Sequence, residues 1–101
     1  SKREAYALAA LGYGYAVTGK RAEAVAIVKE LEERYARKDW TVRNIAAVYV
    51  GLGDKDKAFE WLEKGFQDKG DLSWISFEIP FESLRDDPRF KDLLKRMNLP
   101  E

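Results

Sequence analysis

Histidine and cysteine are both missing from this 101-residue chain, and with them go disulfides, thiolate nucleophiles, imidazole bases and the usual zinc ligands. Much enzyme chemistry is thereby excluded. Nor is one sign of charge in excess: 18 Lys and Arg balance 18 Asp and Glu, interleaved in stretches such as residues 29–34 and 54–57. Without a basic patch there is no electrostatic reason to expect nucleic acid or an anionic membrane as a partner. Long hydrophobic runs are scarce too. The one uncharged stretch, residues 5–19, follows Lys2 and Arg3 and is broken by Gly12, Gly14 and Gly19. It falls short of the about 20 apolar residues that a membrane span needs, and it is expected to fold as part of the domain. A cytoplasmic location is the expectation, although absent cysteine does not report a compartment.

What the chain does contain is an echo. Tyr15, Gly19 and Ala24 return 34 positions later as Tyr49, Gly53 and Ala58, while Leu8 pairs with Val42, Leu11 with Ile45, Gly12 with Ala46 and Val28 with Leu62. That period marks a helix-turn-helix unit that buries little alone and gains stability by stacking. The expected fold class is therefore all-α: one domain, an α-solenoid of two hairpins at residues 5–38 and 39–72, and a carboxyl-terminal capping segment at residues 73–101.

Periodicity places the helices. Leu8, Leu11 and Tyr15 share one helical face, so residues 4–18 read as a helix that Gly19 ends. Ala24, Val28, Leu31 and Tyr35 give a second helix over residues 21–37, with Arg37 and Lys38 at its negative pole. Thr41 is the expected N-cap of a third helix carrying Val42, Ile45 and Tyr49, closed by Gly51 and Gly53. Asp54 caps a fourth, with Ala58, Trp61, Leu62 and Phe66 inward and an end near Gly70. Gly12 opposite the region of Ala24, and Ala46 opposite Ala58, should let helix pairs approach closely. After Gly70 the period fails. Asp71 or Ser73 should cap a short helix carrying Trp74, Ile75 and Phe77 that Pro80 ends. Asp87-Pro88 then opens a capping helix with Phe90, Leu93, Leu94 and Met97 along one side.

These residues resemble the tetratricopeptide repeat family: Leu11-Gly12, Tyr15, Gly19, Ala24 and Val28, then Ile45-Ala46, Tyr49, Gly53, Ala58 and Leu62. The likeness covers about two thirds of the chain. It departs from the family where Leu8 and Val42 replace an aromatic residue, where Leu31 replaces a small one, and where both repeats lack the terminating proline. The stretch from Gly51 to Phe90 is similar to the carboxyl ends of repeat arrays in bacterial multidomain regulators. The resemblance implies a non-catalytic interaction module, and no catalytic, cofactor or metal residues are assigned.

Carried over by register, the resemblance implies a concave groove lined by Tyr6, Ala9, Tyr13 and Val17, then Trp40, Arg43, Asn44 and Ala47, with Trp74 and Phe77 extending it. Only Asn44 matches the family's clamp for a peptide's terminal carboxylate, so recognition of a chain end is not expected. Independently, Tyr6, Tyr13 and Val17 leave the first helix apolar on several sides. They either pack on the Trp74 segment or a neighbouring repeat, hold a peptide or protein partner, or stack on another copy. The expected function is capture of a peptide or protein on that aromatic face, with self-assembly into a weak homo-oligomer as the alternative. Other carboxylates read as structural: Asp54-Lys55-Asp56 as a capped helix start, Asp87 as a cap, Glu78 and Glu82 as solvated acids.

Overall fold

Two short turns organise the first half of the chain, and each depends on a glycine. In the computed structural model, which describes residues 2–37, 41–69, 72–76 and 78–98, helix α1 (Lys2–Val17) is followed after a tight turn by α2 (Arg21–Ala36). Gly19 sits at φ +87°, where a side chain is strained. This lets the Lys20 N–H reach the Tyr15 carbonyl at 2.8 Å and the Gly19 N–H the Ala16 carbonyl at 3.3 Å. That pair of bonds is a Schellman cap. It recurs where α3 (Val42–Gly51) turns into α4 (Lys55–Lys69): Gly53 has φ +79°, and Asp54 N–H and Gly53 N–H donate to the carbonyls of Tyr49 and Val50, both at 3.0 Å. The 34-residue echo is thus, at this point, the same cap made twice. Asp54 also caps α4 through its side chain, accepting from the Lys57 N–H at 3.1 Å.

The described residues are all-helical. The α1 helix packs on α2, α3 packs on α4, and α3 also lies against both α1 and α2. Consequently α3 feeds two cores. Ile45 and Val48 join Ala5, Ala9, Ala24, Val28 and Leu31 on one side, whereas Ala46 and Ala47 join Phe59, Leu62, Phe81 and Phe90 on the other. Close approach is possible because three glycines leave room: a Cβ at Gly12 would lie 2.9 Å from Ile27 and 3.1 Å from Val48, one at Gly51 2.9 Å from Tyr13, and one at Gly65 2.7 Å from Val42.

Several local expectations change. Leu11 is not on the buried stripe but half exposed; α1 instead buries Ala5, Ala9 and Gly12, a spacing of small residues that admits a nearer neighbour. Gly12 meets Ile27 rather than the Ala24 end of α2. The Thr41 hydroxyl makes no cap hydrogen bond; being buried, it donates to the Leu31 carbonyl at 2.9 Å, satisfying a polar group that water cannot reach. Phe59, not Trp61, is the buried aromatic ring of α4. Lys38, Gly70, Asp71 and Phe77 lie outside the described residues.

After α4 the chain makes two 3-10 helices, Ser73–Ser76 and Ile79–Leu84, and then α5 (Pro88–Arg96). Pro80 does not end a helix: it stands in the first turn of the second 3-10 segment, where its missing N–H has no partner to lose. Asp87 does cap α5, accepting from the Arg89 N–H at 2.9 Å. Phe90, Leu93 and Leu94 are buried, each worth about 1.5–3 kcal/mol. Those three residues outweigh the half-exposed ion pairs of Arg89 with Asp56 and Arg96 with Glu63, which at about 0–1 kcal/mol each chiefly set the position of α5 on α4.

The contrast between two neighbouring glycines gives a prediction. Gly12→Ala should destabilise the fold, because the added Cβ collides with Ile27 and Val48, whereas Gly14→Ala, with nothing within 4 Å, should stabilise it by about 0.5–1 kcal/mol through helix propensity. Urea unfolding of both variants decides it; shifts of the same sign contradict the packing described. A second prediction concerns acid. Hydrogen bonds from Arg96 and then Gln67 hold the Glu63 carboxyl at about 2 rather than 4.5, and Arg89 holds Asp87 at about 2 rather than 3.8. Their stabilisation is complete above the unfolded values and disappears as pH falls towards 2. Glu63→Gln should therefore be less stable than wild type at pH 7 and converge with it near pH 2, followed by thermal melts across that range.

Candidate functional site

Because α3 lies beside α1 and the second 3-10 segment crosses near both, a cleft of about 470 Å³ remains between the three. Tyr6, Ala9 and Tyr13 enter it from α1, and Arg43, Asn44 and Ala47 from α3. Ala9 and Ala47 are buried, whereas Tyr6 stands 62% exposed at the edge. Small residues thus make the floor and tyrosines the walls. The volume falls in the usual range for a ligand site, about 300–1,000 Å³.

Asn44, Arg43 and Tyr13 are each anchored. Asn44 Nδ2 donates to the Ala5 carbonyl at 3.2 Å, tying α3 to α1. Arg43 Nη1 lies 3.1 Å from Glu78 Oε1, and the guanidinium is 5.9 Å from the centre of the Trp74 ring. Trp74 in turn leans on Phe81, ring centres 5.3 Å apart. Tyr13 is braced against Gly51, where any side chain would strike its ring.

Six of the ten residues expected along the groove therefore share one cleft, while Phe77 lies outside the described residues. Val17 is not among its lining residues and is 56% exposed. Trp74 lies beneath Arg43 instead of lining the cleft. Trp40 lies outside the described residues. The sequence reading missed the third wall, formed by Glu78, Ile79, Pro80 and Phe81. Glu78, taken for a solvated acid, is the partner of Arg43. Pro80, expected to end a helix, stands on that wall. Nothing in periodicity indicates which distant helix a segment after a turn will meet.

Comparison with protein-family models, with curated proteins and with solved structures finds no match. The site must be interpreted from its own chemistry.

A second cleft is polar and internally paired. It is bounded by Arg21, Asp54, Asp56 and Arg89, but Asp56 pairs with Arg89 at 2.9 Å and Arg21 donates to the Leu52 carbonyl at 3.2 Å. Away from the main cleft, burial, and then a 2.6 Å hydrogen bond to Glu32, push the Tyr49 hydroxyl above its ordinary pKa. That tyrosine bonds α3 to α2 and remains protonated. Among the described residues no helix is long and apolar enough to cross a membrane.

Proposed function

We propose that this chain is a non-catalytic, peptide-binding module of tetratricopeptide type, a two-hairpin α-solenoid closed at its carboxyl end by the 3-10 segments and α5. Its ligand lies in the cleft between α1, α3 and the second 3-10 segment. The observation that carries this reading is the convergence of Tyr6, Ala9, Tyr13, Arg43, Asn44 and Ala47 on one cleft, with Tyr6 and Ile79, 62% and 78% exposed, on its rim. Large apolar groups are normally withdrawn from water, and tyrosines at such positions supply area, a hydroxyl and little entropic cost to a partner. The cap repeated at Gly19 and Gly53 supports the repeat architecture on which the reading rests. Balanced charge speaks against nucleic acid.

Panning a displayed peptide library against the intact domain tests this. Selected peptides should lose about tenfold or more in affinity against Tyr13→Ala and against Arg43→Glu, both retaining helical circular dichroism. Undiminished binding by both folded variants rejects the cleft.

A second reading is favoured by one specific feature. Leu11, 50% exposed, is the counterpart at 34 residues of fully buried Ile45, as an open end of a helical stack would require. Through that face two copies would associate weakly. Light scattering over a concentration series should then reveal a dimer that Leu11→Glu abolishes; a strict monomer at high concentration removes the reading.

A further inference from the structure

We infer that the Glu78 carboxylate occupies the place of an acidic side chain in the ligand, which displaces it from Arg43 on binding. This rests on the reading of the cleft as a peptide site and specifies the peptide: a segment with Asp or Glu near a large apolar residue.

Arg43 is the sole cation among the described residues lining the cleft. Its guanidinium offers five N–H donors in a planar fork, and it meets Glu78 as an ion pair whose nearest approach is 3.1 Å. Trp74 beneath the guanidinium keeps the head over the cleft, as a cation over an aromatic face is held. The incoming carboxylate therefore finds a positioned fork with donors to spare and can take it with two hydrogen bonds, the stronger geometry. Glu78 loses little on release, since its side chain is 33% exposed and water replaces the guanidinium.

The chain's own segment displays the matching chemistry. Glu78 has extended backbone, φ −84° and ψ 133°; its acid rests on Arg43, while three residues on Phe81 packs against Trp74. A turn that sets an acid three residues before an apolar ring is thus already accommodated along one wall. Tyr6 and Tyr13 on the opposite wall, with Ala9 and Ala10 between them, leave space for a ligand's apolar side chain. A neutral peptide would leave the surplus donors of Arg43 unused.

The exchange makes the two members of one ion pair respond in opposite directions. Two amide-ended heptapeptide libraries, identical except for Glu or Gln fixed at the central position, are selected on the intact domain and measured by fluorescence anisotropy. Wild type should bind selected Glu peptides roughly threefold to tenfold tighter than their Gln counterparts. Glu78→Gln, which removes the internal competitor, should tighten Glu peptides by a similar factor and leave Gln peptides unchanged. Arg43→Gln should erase the difference. If Glu78→Gln weakens both classes alike, the pair is structural and the inference fails while the peptide site stands. Equal binding of Glu and Gln forms overturns it in the same way. Failure of both libraries to yield a binder removes the peptide site as well.

Discussion

The position of α3 is the constraint on which everything else depends. This ten-residue helix is enclosed on nearly all sides, with Val42, Ile45, Ala46, Ala47 and Val48 buried, and it reaches both cores because its neighbours come close at glycines. Gly12 of α1 admits Val48, Gly51 of α3 admits the Tyr13 ring, and Gly65 of α4 admits Val42. Interiors are packed too densely to absorb an extra methyl group at such points without a shift. Tyr49 and Asn44 then fix the same helix by hydrogen bonds to Glu32 and the Ala5 carbonyl. Helix α3 is therefore the common wall of the two cores.

The candidate site is a consequence of that arrangement. Tyr6, Tyr13, Arg43 and Asn44 stand beside the core residues Ala9 and Ala47, and the 3-10 segment, anchored by buried Phe81 and Leu84, closes the third side. Burial of Phe81 holds the segment in place while Glu78 and Ile79, at its beginning, remain at the surface. A strongly held wall with an ion-paired lip combines a preformed cleft with an exchangeable contact. Preformation reduces the ordering cost of binding, and the proposed exchange of carboxylates adds a preference for acid at small energetic cost.

Much of the fold was legible in the sequence, for reasons that differ along the chain. The caps at Gly19 and Gly53 and the start of α5 at Asp87-Pro88 are written locally, because a positive φ, a capping carboxylate or a proline acts over a few residues. Ala24, Val28 and Leu31 could be read as buried because the opposite face of α2 carries Lys29, Glu30 and Glu33. The first helix offered no such contrast. With no charge between Ala5 and Val17 its periodicity could not decide which side faces inward, and the small side of Ala5, Ala9 and Gly12 was buried in preference to Leu11. Six groove residues were placed together because two helices in a shared register carry them. The wall formed by Glu78 to Phe81 belongs to no repeat and had no register to follow.

By itself, then, the sequence determined an all-helical chain, the two matching turns, the capped start of the last helix and most residues of two cleft walls. These follow from backbone sterics, hydrogen-bond capping and amphipathic spacing, which operate within a few residues. Only the tertiary structure decided that Thr41 turns its hydroxyl to the Leu31 carbonyl, that Pro80 begins a turn instead of ending one, and that Glu78 meets Arg43. Each of those depends on which distant surface arrives opposite the residue. Burial and charge pairing are properties of two partners, and the chain brings those partners together only when it folds.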